Sequence, residues 1–145
     1  MAVNVALRDY LLNRRSVGIG FLGDPGPSPE DLTQILTIGT RVPDHGKLAP
    51  WRLIVIEGDA RVAIGEQLAA IVKRRNPAID EAGLNIERRR LLPAPLTIGV
   101  ILSPKPSPKA PEVEQLLSAG NVCFNLSNGA FALGYAASWV SPWFA

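Results

Sequence analysis

The sequence predicts one domain that mixes helices with two short strands, and three observations predict it. The chain has 145 residues, 47% of them hydrophobic and 19% charged, which suits a single core and excludes disorder as a description of the whole. Two apolar, β-branched runs, Trp51–Glu57 and Leu96–Leu102, stand between turn residues. The segments around them repeat apolar residues at spacings of three and four, the period of an amphipathic helix.

A first helix is predicted from about Val3 to Asn13. Arg14-Arg15-Ser16 then leads into Gly18-Ile19-Gly20-Phe21-Leu22-Gly23-Asp24-Pro25-Gly26-Pro27, a loop by its glycines and prolines. Ser28 suits an N-cap, with Pro29 at the first helical position and Asp31 three residues after the cap. Leu32, Ile35, Leu36 and Gly39 mark the inward face of that second helix. Arg41 to Pro50, containing Pro43, Asp44, His45 and Gly46, is a loop. Trp51–Glu57, ending at Gly58, is expected to be a buried strand. Ile64, Leu68, Ile71 and Val72 give the next helix its apolar face, and a weaker helix covers about Ile79 to Leu91. Leu96–Leu102 is the second expected buried strand, stopped by Ser103–Pro111, which reads as a mobile surface loop. A long helix occupies about Val113 to Leu133, with Gly134 as its stop. No repeat and no domain boundary interrupts the chain, so residues 1–145 are expected to form one domain.

The charge is 15 basic against 13 acidic residues, a net +2. That excess is too small to argue for a nucleic-acid or anionic-membrane partner. Cys123 is the only cysteine and His45 the only histidine, so an internal disulfide and every Cys/His zinc signature are excluded. Met1 to Tyr10 has neither a basic leader nor a long apolar run, and the expected location is the cytoplasm.

After Glu114 the chain carries no Asp, Glu, Lys, Arg or His. Ser118, Asn121, Asn125 and Asn128 form an uncharged polar stripe at helical spacing. Leu116, Ala119, Cys123, Leu126, Ala130 and Leu133 follow the same rhythm on the opposite face, with Leu117, Phe124 and Phe131 as a third line beside them. Three mid-segment asparagines are costly against lipid. The segment is therefore expected to be a central helix packed on several sides, or a helix at a subunit interface.

Four features bear on chemistry. Gly18-x-Gly20-x-x-Gly23 matches the dinucleotide fingerprint in letters. A helix precedes it, however, and Asp24-Pro25-Gly26-Pro27 cannot open a helix where the pyrophosphate would need one, so the match is rejected. Lys73-Arg74-Arg75 and Arg88-Arg89-Arg90 lie on or beside helices near Glu and Asp, without interleaved aromatics, and read as solvated faces. Arg14-Arg15-Ser16, at a helix end entering a loop, either grips a phosphate bidentately or simply complements the helix dipole. Within the loop after the second helix, His45 reads as a hydrogen-bonder, and Trp51 as a core anchor.

The ordered set resembles the FMN-dependent nitroreductase family, in its compact bacterial branch. The resemblance begins at Asn13-Arg14-Arg15-Ser16 and runs through Pro29-Glu30-Asp31-Leu32 and Ile35-Leu36 to Arg41-x-Pro43-Asp44-His45, Pro50-Trp51 and Glu57-Gly58. It resumes at Ser118-Ala119-Gly120 and Leu133-Gly134-Tyr135 and reaches Trp139-Val140-Ser141. It implies an α+β fold with a central, mainly antiparallel sheet flanked by helices. It also implies a homodimer with the long helix at its interface and FMN between the subunits.

The cofactor-binding positions implied are Arg14, Arg15 and Ser16 toward the ribityl and phosphate end. Arg41 and His45 follow, reaching in from the other subunit's proline loop, and the turn Trp139, Val140 and Ser141 approaches the flavin ring mainly by its backbone. Val140 departs from the family pattern, where close relatives often carry a basic residue. No side chain is implied as catalytic, since flavin N5 carries the hydride. NADH or NADPH is the implied donor and a nitroaromatic or quinone the implied acceptor, exchanged by ping-pong turnover. Cationic donors suit this chemistry because reduced flavin develops negative charge near N1 and O2.

Two other readings stay open. One is a cofactor-poor dimer acting as a binding or structural module; the other is a family relative that dehalogenates or breaks down flavin. The chain is also short for the family, lacking a further helix, a strand and a basic residue for the FMN phosphate. Its aromatic end, Pro142-Trp143-Phe144-Ala145, is expected to need a cover. Weaker FMN binding, reversed by restoring the segment, is the expected consequence of a truncation.

Overall fold

Ser28 starts a helix as its spacing predicts. In the computed structural model, which describes residues 2–144, its Oγ accepts the Asp31 N–H at 3.1 Å and donates to Asp31 Oδ2 at 2.9 Å. That helix is α2 (Pro29–Gly39), preceded by α1 (Val5–Asn13), whose Asn4 side chain caps the Leu7 N–H at 3.1 Å. Between them Ile19–Phe21 forms one 3-10 turn. The glycines there join two helices and follow no strand, the context on which the dinucleotide reading was rejected.

β1 (Trp51–Glu57) and β2 (Leu96–Leu102) pair antiparallel, Trp51 opposite Leu102 and Glu57 opposite Leu96. They are the sheet of the described residues. α3 (Ala60–Arg75) and α4 (Glu81–Arg88) connect them, and α5 (Glu112–Ala132) follows β2. Gly134, at φ +85°, takes the left-handed turn that stops α5.

The core lies between α2, α5 and one sheet face. Ile35, Val122 and Leu126 are its buried centre, with Trp51, Leu53, Ile98 and Val100 packed against it. α2 meets α5 closely because glycine stands at both contacts. A Cβ on Gly39 would lie 2.3 Å from Leu126 Cδ2, and one on Gly129 3.2 Å from Ile38 Cγ2.

Four expectations change. Both strands were expected to be buried, yet none of their residues is fully covered. Continuous apolar runs usually signal burial on two faces, whereas here the core covers one face and Ile54 and Ile101 on the other stay exposed. On α5, Ala119 and Leu126 of the apolar line are buried, but Leu116 is exposed and Ser118 is buried, because Ser118 and Asn125 bond to backbone carbonyls of the loop after α2. The loop Ser103–Pro111 is tied down by Gln115. Its amide accepts from Lys105 N at 2.8 Å and donates to Lys105 O at 2.9 Å and Ala110 O at 3.0 Å. Trp143 is not bare; its Nε1 donates to buried Glu87 at 3.0 Å and its ring lies under Arg75. Ala145 falls outside the described residues.

Among the described residues, no helix is long and apolar enough to cross a membrane, and no cluster of His, Cys, Asp or Glu is placed to hold a metal.

Candidate functional site

Arg14 caps α1, its N–H donating to Tyr10 O at 2.8 Å. Tyr10 anchors that helix end on α5, its hydroxyl donating to Asn128 Oδ1 at 2.9 Å and its ring 6.4 Å from that of Phe131. The Arg14 guanidinium consequently lies over two α5 rings, 5.5 Å from the centroid of Phe124 and 5.9 Å from that of Phe131. Its Nε is buried and has no hydrogen-bond partner among the described residues. A buried unpaired donor is costly, so this one fits a ligand that brings an acceptor. Arg15 and Ser16 are exposed beside it.

The tail joins the same flank. Val17 N–H donates to Ala137 O at 3.1 Å, and Trp139 Cη2 would be 4.0 Å from a Cβ on Gly120 of α5. Val140 and Ser141 are exposed at the end of this turn. Arg14 and Trp139 thus rest on Gly120, Phe124 and Phe131, positions that share one side of a 3.6-residue helix.

The loop after α2 lies along a different edge of α5. Asp44 shapes it, Oδ1 accepting from Leu48 N at 3.2 Å and Oδ2 from Ala49 N at 2.7 Å. Around that turn Gly46, Lys47 and Ala49 take φ of 78°, 53° and 45°, and positive φ is strained for the latter two. His45 Nδ1 pairs with Glu114 Oε2 at 2.7 Å, as expected of a loop hydrogen-bonder. Its Nε2 has no partner among the described residues. Ser118 Oγ donates to Pro43 O at 2.6 Å, and Asn125 Nδ2 donates to Ile38 O at 2.5 Å and Arg41 O at 3.3 Å.

The Arg41 side chain is exposed and unpaired among the described residues. It lines an open cavity of about 540 Å³ with Asp44, Lys47 and Trp51. Arg41 and Lys47 outnumber the single carboxylate of Asp44, so the cavity lining carries an excess of positive charge.

The predicted residues therefore fall into two sets, Arg14 to Ser16 with Trp139 to Ser141, and Arg41 with His45. No hydrogen bond or ion pair among the described residues joins them. Residues missed from sequence are Phe124 and Phe131 under Arg14, and Glu114, Ser118 and Asn125 behind the loop. The polar stripe was a visible signal for the last two, but its spacing does not name what they bond. Of the basic clusters, Lys73 to Arg75 and Arg89 are exposed, whereas Arg88 and Arg90 are half-buried. Arg88 pairs with Glu66 and Glu81 and Arg90 with buried Glu87, so the second cluster is not the solvated face expected. Burial pushes the Cys123 thiol pKa up, which disfavours the reactive thiolate.

In this α+β fold a cationic loop and the arginine that caps α1 lie along one long helix. The nitroreductase family model matches residues 11–144, and the chain belongs to the nitroreductase family. An Escherichia coli protein provisionally named NAD(P)H nitroreductase YdjA is 35% identical over 135 residues, covering 92% of this chain and 70% of its own length. The crystal structure of a nitroreductase-like family protein from Bacillus cereus superposes with a TM-score of 0.75 at 20% identity, covering 98% of this chain and 73% of that one. An FMN and NADPH-dependent nitroreductase, NfnB, from Sphigopyxis sp. strain HMH gives 0.63 at 21% identity, covering 89% and 72%.

Proposed function

We propose that this chain is an FMN-dependent NAD(P)H oxidoreductase acting on nitroaromatic or quinone-type acceptors, assembled as a homodimer in the cytoplasm. The observation that carries the reading is Arg14, a cation held over Phe124 and Phe131 with a buried Nε that nothing among the described residues satisfies. The redox chemistry, hydride uptake from NADH or NADPH and its delivery to the acceptor in ping-pong alternation, is what FMN supplies when bound.

The chain's own residues bind and orient. Arg14, Arg15 and Ser16 offer guanidinium and hydroxyl donors to the phosphate and ribityl end. Arg41 would offer positive charge to a flavin that gains electrons on reduction, and His45 would add an imidazole held in place by Glu114. Trp139, Val140 and Ser141 would meet the ring through their backbone.

Two features support the dimer. The two residue sets occupy separate sides of α5, so a second copy is needed to bring both to one ligand. Val113, Leu116, Leu117 and Phe124 on α5 are exposed, an apolar line suited to a partner.

The test is the absorption spectrum of the purified protein, with and without added FMN, followed by anaerobic NADH or NADPH. Expected are a flavin spectrum with stoichiometric uptake, and bleaching on addition of the nicotinamide. A colourless protein that takes up no FMN overturns the reading and favours a cofactor-poor binding module. Bound flavin that NAD(P)H fails to bleach favours a relative of different chemistry.

A further inference from the structure

Three side chains on one edge of α5 grip the same stretch of loop. Running back along the helix, Asn125 holds the carbonyls of Ile38 and Arg41 at 2.5 and 3.3 Å. Ser118 then holds that of Pro43 at 2.6 Å, and Glu114 the His45 imidazole at 2.7 Å. Positions 114, 118 and 125 fall within a narrow arc of the helix and span about 16 Å of its length. The loop therefore lies antiparallel along α5, fastened at the end of α2, at its proline and at its histidine.

Two of the four attachments fall on the site residues Arg41 and His45 themselves, with Pro43 midway between them and Ile38 at the end of α2. Asn125 accounts for the end of α2, where carbonyls lose their helical partners, and it touches Arg41 through that residue's own backbone. The Arg41 side chain is left free to face the cavity. Glu114 occupies one nitrogen of His45 and leaves the other open. A row that merely stabilised the helix pair would not need to end on both of these residues.

We propose that Glu114, Ser118 and Asn125 are positioning residues that set Arg41 and His45 for FMN. The proposal rests on the FMN reading above. It assigns Ser118 and Asn125 of the uncharged stripe, together with Glu114, a part in cofactor binding, with no contact between these side chains and the cofactor.

The test is a double-mutant cycle on the full chain, with FMN affinity measured by fluorescence titration of apoprotein. Asn125→Leu is expected to weaken FMN binding about tenfold with Arg41 present, and less than about twofold in an Arg41→Ala background. Equal losses in both backgrounds overturn the positioning role, because a general structural defect is additive. Ser118→Ala repeats the cycle with a smaller perturbation should Asn125→Leu fail to fold. Hydrogen exchange of the Lys47, Leu48 and Ala49 amides is a second, cofactor-free readout. It is expected to quicken about tenfold in either variant while β1 amides are unchanged, and unaltered exchange overturns the attachment. Should Arg41→Ala alone bind FMN like the parent, the FMN reading of Arg41 fails and the functional half of the proposal falls with it. The exchange result then decides separately whether the row holds the loop.

Discussion

Trp143 Nε1 donates to Glu87 Oε2 at 3.0 Å, and the same carboxylate receives Nε of Arg90 at 2.6 Å and its Nη2 as well. A buried carboxylate on α4 thereby ties the tail to the α3–α4 pair. Arg75 over the Trp143 ring, 5.1 Å from its centroid, adds a contact from α3. The Arg90 hydrogen bonds hold the Glu87 carboxyl below the ordinary glutamate value, and Trp143 contributes in the same direction against the opposing effect of burial.

The sign of the pH effect follows. Because the folded state holds Glu87 ionised to lower pH than the unfolded chain does, its contribution is complete above the ordinary glutamate value of about 4.3. It is lost as pH falls from there through the depressed folded value. Glu87→Gln is expected to lower stability at pH 7 by about 1–3 kcal/mol, leaving the Arg90 charge without its carboxylate. It should also flatten the acid limb of stability against pH. Urea unfolding at a series of pH values measures both, and an unchanged acid limb contradicts the role given to Glu87.

Glycine packing makes a graded prediction. A Cβ on Gly65 of α3 would lie 2.1 Å from the Arg88 carbonyl oxygen, whereas one on Gly39 meets the end of the Leu126 side chain. Backbone cannot turn aside as a side chain can. Gly65→Ala is expected to cost more than Gly39→Ala, both exceeding the about 1–3 kcal/mol typical of overpacking only if the helices are forced apart. Gly58→Ala, where no atom would be met but φ is +54°, isolates the backbone term. Thermal unfolding of the three variants gives the order.

Arg14→Ala is expected to weaken FMN binding by about ten- to a hundredfold, the usual range for a charge-assisted hydrogen bond. Arg14→Lys should recover only part of this, since an ammonium lacks the planar fork. Apoprotein stability should change little or improve, because the unsatisfied Nε is removed. Fluorescence titration and apoprotein melting separate the two effects.

Val140→Ala is expected to leave FMN affinity within about twofold, since a backbone contact at this exposed turn survives loss of the side chain. Val140→Pro, which removes the N–H, is the informative partner. If both variants bind like the parent, the turn makes no backbone contact with the cofactor.

The local punctuation of the fold was legible in the sequence for a plain reason: caps and stops act within one turn of the chain. Ser28, Pro29 and Asp31 open α2, Gly134 closes α5, and the runs Trp51–Glu57 and Leu96–Leu102 are the strands. The resemblance carried by Arg14-Arg15-Ser16, Pro43-Asp44-His45 and Pro50-Trp51 sufficed to identify the family. What neighbours do to a face was not legible. Periodicity assigned Ser118 and Asn125 to a polar side, yet a polar residue faces water or a backbone carbonyl with the same spacing.

The sequence by itself thus determined the elements and the family, because these depend on chain-local propensity and motif order. Only the tertiary structure decided the direction of α5. It turned its hydroxyl and amides onto the carbonyls of Ile38, Arg41 and Pro43 and its phenylalanines under Arg14. Gly39 and Gly129 brought α2 close enough for those bonds to form, a distance no local pattern encodes.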